Sequence, residues 1–205
     1  QINTEINTTE NEHLLYNVFS LRGILDPRVY KDENTLRLLG NYRAVFTYLA
    51  DNYANSNKVE SLKTLVDWGQ SNIGVDWHTL YINADRFYEM DRPDWAGEYM
   101  EASANSMKMA IGTDPNATHL NLIAIANVVL DRYVQPDRAL RIYDLVIQIN
   151  PSSAEAYYGI ATALQLKGNI DEALKKIDDY LSRYGEEPSL INAKNVLLEL
   201  NPSEQ

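Results

Sequence analysis

Two segments of this chain repeat one another. Ala139, in Pro136-Asp137-Arg138-Ala139-Leu140, and Ala173, in Ile170-Asp171-Glu172-Ala173-Leu174, lie about 34 positions apart, and the residues around them share one apolar rhythm. A copy of that length cannot build a core alone, so it must bury its apolar face on the next copy, and the chain grows as an array. Counted from Leu120 and from Ala154, the fourth, seventh, eighth and eleventh places are Ile123, Ala126, Asn127 and Leu130, then Tyr157, Ile160, Ala161 and Leu164. That spacing lays them on one helical face. A second stripe follows in each copy, Ala139, Tyr143 and Val146, then Ala173, Ile177 and Tyr180, after turns at Gln135-Pro136-Asp137 and Gly168-Asn169. Each copy is therefore a hairpin of two amphipathic helices. The small Ala139 and Ala173 mark where the two backbones approach most closely, and Asn150-Pro151 ends the earlier copy because the residue before proline avoids the helical region.

The same period runs toward the N-terminus. From Arg43, the diagnostic places hold Phe46, Leu49, Ala50, Tyr53, Leu62 and Val66; from Trp77, they hold Leu80, Ala84, Phe87, Ala96 and Met100, with Asn83 standing where a large apolar residue is expected. Four units result, at 43–76, 77–110, 120–153 and 154–187, with an insertion at 111–119 that contains Gly112, Asp114-Pro115 and Asn116, departs from the repeat pattern and leaves open whether the two halves stack closely. Before them, residues 1–42 form a linker and helical extension. Residues 1–8 are polar and without pattern; Thr9 and Glu12 have capping-box spacing, and Leu14, Leu15, Val18, Phe19 and Leu21 give a first helix its apolar face as far as Gly23. Asp32 then caps a long helix that passes through Leu36, Leu39, Gly40 and Tyr42 into the first unit. After the units, 188–205 make a capping helix and tail, with Leu190, Ile191, Ala193, Val196, Leu197 and Leu200 buried and Asn192, Lys194, Asn195 and Glu199 facing outward.

Over Arg43 to Glu187 the chain resembles the tetratricopeptide repeat family. The resemblance implies an all-α right-handed superhelix of four helix-turn-helix repeats, acting as a scaffold that binds a protein or peptide. In that family the first helix of each repeat lines a concave groove through its second, fifth, sixth, ninth and twelfth places. Here those places include Thr47, Tyr48 and Asp51, then His78, Tyr81, Ile82, Asp85 and Tyr88, then Asn121, Ala124, Ile125 and Val128, then Tyr158 and Thr162. The expected peptide-binding groove, Tyr48, Asp51, His78, Tyr81, Asp85, Tyr88, Asn121, Ile125, Tyr158 and Thr162, is aromatic and mildly acidic. Family members that clamp a carboxylate tail carry Lys, Asn and Arg at fixed groove places; this chain has Thr47, Asp51, Ile82, Asn121 and Ile125 there, or Tyr81, Asp85, Ile125, Glu155 and Gly159 one repeat later. An acidic tail would be repelled.

A second resemblance lies in the flank. The run Arg22-Gly23, Asp26-Pro27, Val29-Tyr30, Asp32-Glu33, Leu38-Leu39 and Asn41-Tyr42-Arg43 is similar to the segment leading into the C-terminal repeats of bacterial multi-pass membrane glycosyltransferases related to protein O-mannosyltransferases. It implies an extracytoplasmic, periplasmic tail of a larger enzyme whose catalytic residues lie elsewhere. The alternative is a freestanding adaptor, cytoplasmic and with no enzyme attached.

Charge and motif content narrow the function from the other side. With 18 Lys and Arg against 29 Asp and Glu, the net charge is −11, which disfavours nucleic acid and anionic membrane surfaces and leaves neutral or basic partners. No apolar run reaches the roughly 20 residues of a membrane span. There is no cysteine, and His13, His78 and His119 are scattered without metal-ligand spacing, so neither a metal nor another cofactor is expected. Phosphate-binding glycine loops and a nucleophile elbow are missing as well, and adjacent carboxylates such as Asp178-Asp179 point to different helix faces. The fragment itself is expected to be non-catalytic.

Overall fold

A computed structural model of the chain describes residues 7–18, 24–26, 28–109 and 115–200, and among these all regular structure is helical. The fold is all-α and of the tetratricopeptide kind, as the sequence implies. Among the described residues no helix is long and apolar enough to cross a membrane. The chain divides into two compact units, Gln1–Arg92 and Pro93–Gln205, so the division falls between the two helices of the second repeat as delimited from the sequence.

In the first unit, helix α1 (Thr8–His13) runs on into a π-helical turn at Leu14–Val18. Its cap is Asn7, not Thr9: the Asn7 carboxamide accepts from the Glu10 amide at 3.2 Å, the reach of an N-cap to the third helical residue. Phe19, Leu21 and Gly23, assigned to this helix from the sequence, lie outside the described residues. Leu15 is buried, Tyr16 meets the ring of Trp68 edge-on at 5.5 Å, and the Tyr53 hydroxyl donates to Glu12, which together fasten the segment down. Helix α2 (Glu33–Asn55) starts where expected, because the Asp32 carboxylate accepts from the Thr35 amide at 2.7 Å. Its buried face, Phe46, Leu49, Ala50 and Tyr53, packs on Leu62, Leu65, Val66 and Gly69 of α3 (Val59–Asn72). Gly69 is required there, since a Cβ would stand 2.5 Å from Phe46 Cε2. Helix α4 (Trp77–Glu89), capped by Asp76, buries Leu80, Asn83, Ala84 and Phe87.

The second unit contains α5 (Pro93–Met109), α6 (Pro115–Asn127) continuing into a π-helical turn at Val128–Arg132, α7 (Pro136–Ile149), α8 (Ala154–Leu166), α9 (Ile170–Tyr184) and α10 (Pro188–Leu200). From α6 onward each helix packs chiefly on its neighbours in sequence, with α6 against α8 and α8 against α10 as next neighbours and α5 against α7. Ala139 and Ala173 are fully buried at the helix crossings. Charge reinforces the α5–α7 contact: Glu101 accepts from Arg138 at 2.9 Å and from Arg141 at 2.5 and 2.8 Å, and the Arg141 guanidinium, followed by Arg138, holds the Glu101 carboxyl below the usual carboxylate range.

Two expectations differ in this unit, and one feature had no counterpart in the sequence reading. Pro115 to His119, taken for part of the insertion, are helical and begin α6; His119 Nε2 lies 2.9 Å from the hydroxyl of Ser153, tying α6 to the residue that caps α8. The rest of the insertion, 111–114, lies outside the described residues. Val196 and Leu200 are 52% and 53% exposed, so α10 buries a narrower face than six apolar residues suggest, centred on Leu190 and Leu197. The π-helical turn at Val128–Arg132 was not anticipated, because its sequence, Val-Val-Leu-Asp-Arg, carries no proline or glycine to mark it.

Candidate binding groove

In the second unit α6 and α8, the first helices of successive hairpins, and the final helix α10 share an open face with two adjoining clefts. One, of about 420 Å³, lies along α6 and α8 and is lined by Ile123, Asn127, Leu130 and Asp131 from the α6 side, and by Glu155, Tyr158, Gly159 and Thr162 from α8. The other, about 370 Å³, lies between α8 and α10, with Ala161 and Gln165 facing Asn192 and Leu197. Tyr158 and Thr162 line both, and so does Ser189 at the start of α10. Both predicted α8 positions are therefore brought to the centre of the groove.

The local sequence explains how the α6–α8 cleft keeps its shape. Gly159 lets α8 sit against Tyr143 of α7, for a Cβ there would come within 2.2 Å of Tyr143 Cζ. Tyr143 is fully buried, and its hydroxyl donates to Asn127 Oδ1 at 2.5 Å, fixing the Asn127 carboxamide on the cleft wall. Burial, followed by the nearby charge of Asp131, pushes the Tyr143 phenol well above its ordinary value. The eighth repeat place, occupied by Asn127 and Ala161 where helix packing usually rules, here carries an oriented polar group. The wider ring of the π-helical turn displaces everything after it around the axis, and Leu130 and Asp131 within that turn both reach the cleft.

On α6 the predicted positions are displaced from the groove. Ile125 is only 2% exposed and belongs to the core, while Asn121 is exposed but does not line the α6–α8 cleft. The helix presents its fourth, eighth, eleventh and twelfth places, counted from Leu120, to the cleft. On α10 Asn192, assigned to the outward face, lines the α8–α10 cleft instead.

The first unit carries the remaining predicted positions. Tyr48, Tyr81, Asp85 and Tyr88 are half-buried, and His78 is exposed with its ring edge-on to Trp77 at 5.5 Å. Asp51 is engaged: it accepts from Arg86, whose Nη1 donates to Asn83 Oδ1 at 3.1 Å, while Asn83 Nδ2 donates to the Thr79 carbonyl at 2.8 Å. Asn83, buried where the repeat pattern expects an apolar residue, is thus satisfied, and it steers Arg86 across to α2. A cleft of about 300 Å³ opens at these helix ends, lined by Asp51, Asn55, Arg86 and Glu89. None of the three predicted tyrosines reaches it. Arg86 was overlooked in the sequence because its role depends on a partner 35 residues away on another helix.

One pair has the types of a nucleophile and a base. Ser153 and His119 are within hydrogen-bond distance, but Ser153 is 5% exposed and its hydroxyl also accepts from the Ala156 amide at 3.4 Å as the cap of α8. Its geometry serves helix capping.

The model of the tetratricopeptide repeat family matches residues 135–195, which covers α7, α8, α9 and much of α10. The α8 wall of the groove and its α10 neighbour thus fall within the matched segment, and α10 has repeat character as well as a capping position. Among curated proteins, none matches the chain.

Proposed function

We propose that this chain is a protein-interaction module that takes a peptide segment of its partner into the α6–α8–α10 groove. The observation that carries the reading is the pair of adjoining clefts sharing Tyr158 and Thr162 on the inner helix of the family-matched hairpin. A half-exposed tyrosine flanked by small and polar residues offers broad contact at low entropic cost. The fragment acts by binding and not by turnover. Its excess of carboxylates favours neutral or basic partners over acidic ones or nucleic acid.

The test is direct. Peptides selected from a displayed decapeptide library on the whole chain should lose about tenfold or more in affinity when Tyr158 becomes Ala, with little change in melting temperature. Peptides that bind Tyr158→Ala as tightly as the parent would place the interaction elsewhere.

The finer reading attaches this module to the extracytoplasmic side of a multi-pass glycosyltransferase, where it would hold an acceptor protein or a partner subunit. It is supported by the run from Arg22 to Arg43, of which Asp26 and Arg28 form a closed ion-pair loop and Asp32 caps α2. An upstream reading frame with many hydrophobic spans is the expected finding; a short frame without them would leave the freestanding adaptor.

A further inference from the structure

Helix α2 outruns its partner. It has 23 residues against the 14 of α3, and its buried residues begin only at Phe46. Arg43 Nη2 donates to the Gly74 carbonyl, just past the end of α3, at 3.3 Å, so Glu33 to Tyr42, about 15 Å of helix, extend beyond that end. No residue from 33 to 45 is buried. One line along this stretch is exposed at every place: Glu33, Leu36, Gly40, Arg43 and Thr47, spaced by three and four residues and therefore on one side of the helix. Leu36 is 54% exposed, whereas Gly40 has nothing within 4 Å of the place a Cβ would occupy. Glycine weakens a helix interior, and no neighbour among the described residues asks for it here.

These places are symmetric about Leu38. Leu36 and Gly40 lie two residues before and after it, and Glu33 and Arg43 lie five before and after it. We propose that this face of α2 is where two copies of the chain meet, as an antiparallel helix pair centred on Leu38. Leu36 then sits over Gly40 of the second copy, and Glu33 meets Arg43 of the second copy. Each contact is made twice, as a two-fold interface requires. The occupant is a second copy because the same helix supplies the knob and the hole, the anion and the cation. A parallel pairing would set Glu33 on Glu33 and Arg43 on Arg43. Leu39 and Ala44 border the seam, while Leu38, itself 50% exposed, lies roughly 160° round the helix from Leu36 and outside it. Three turns of helix make a small interface, so the pair forms with a dissociation constant on the order of 10–100 μM and weakens as salt rises. The proposal stands apart from the groove reading, since α2 belongs to the first unit and the groove to the second.

The experiment is sedimentation equilibrium of the whole chain at low salt, from about 5 to 500 μM, where a monomer–dimer equilibrium is expected. Glu33→Arg and Arg43→Glu should each weaken the dimer about tenfold or more, because like charges then face one another at both ends. An equimolar mixture of these two variants should dimerise again, since each end of the mixed pair holds opposite charges. Gly40→Leu should abolish the dimer by filling the hole, and Leu38→Ala should leave it unchanged. All four positions are exposed, and melting curves at the dilute end confirm that each variant is folded. Restored association on mixing cannot come from unfolded chains. A parent chain that stays monomeric at about 500 μM would overturn the proposal. So would a dimer that survives Gly40→Leu, one that is lost on Leu38→Ala, or a mixture of the two charge variants that remains monomeric.

Discussion

At the scale of single residues, what is absent from two glycines has opposite consequences. Gly159 is pressed against Tyr143, with no room for a Cβ, whereas Gly40 in the middle of α2 has nothing within 4 Å of the place a Cβ would occupy. Gly159→Ala should therefore destabilise the protein by roughly 1–3 kcal/mol through overpacking, and Gly40→Ala should stabilise it by about 0.5–1 kcal/mol through backbone entropy. Urea titrations of the two variants check both signs. The buried tyrosines supply a second prediction. Burial, helped by the charge of Glu12, pushes the Tyr16 phenol up to about 12, and burial likewise raises Tyr53 and Tyr143, so the folded chain keeps protons that the unfolded chain releases near pH 10. Their contribution to stability is complete below about pH 10 and drains away as pH climbs toward the folded-state values. Thermal melts between pH 8 and 11 should fall progressively above pH 10, and Tyr143→Phe should soften that fall. The sequence could mark Tyr143 and Gly159 as apolar and small, but not that one sits on the other.

Among the helices, most of the pattern was legible. Ala139 and Ala173 lie buried at their crossings, the turn at Gly168 has the φ of 78° that glycine tolerates best, and Pro136 and Pro188 begin helices. The test of this register is a contrast on one helix: Ala173→Leu should cost roughly 1–3 kcal/mol, and Lys175→Leu, on the exposed side of α9, should stay within about 0.5 kcal/mol. Denaturant midpoints that shift equally would refute the register. The groove was less legible than the hairpins. Tyr158 and Thr162 line the clefts as the repeat places imply, whereas Asn121 and Ile125 do not, because α6 turns Ile123 and Asn127 toward the α6–α8 cleft and Ile125 into the core.

For the whole molecule, the division at Arg92 and Pro93 carries its own prediction. The segment Pro93–Gln205 has a buried set of its own, from Ala96 through Leu197, and its charged links join helices within it. Expressed alone, it should give a helical circular dichroism spectrum and a cooperative melt; a spectrum without the helical minima would show that it needs the first unit to fold. Repeat arrays draw stability from neighbouring contacts summed along the chain, so removing one end weakens the remainder without abolishing it. The same neighbour-on-neighbour packing from α6 to α10 has a mechanical side. Pulled from its C-terminal end, this unit has no sheet among its described residues to load in shear, and α10 can lift from α8 and α9 before α7 feels the load. Tension will peel the array helix by helix at low force and let it rewind when slackened, so the C-terminal end behaves as a soft spring in series with whatever it holds.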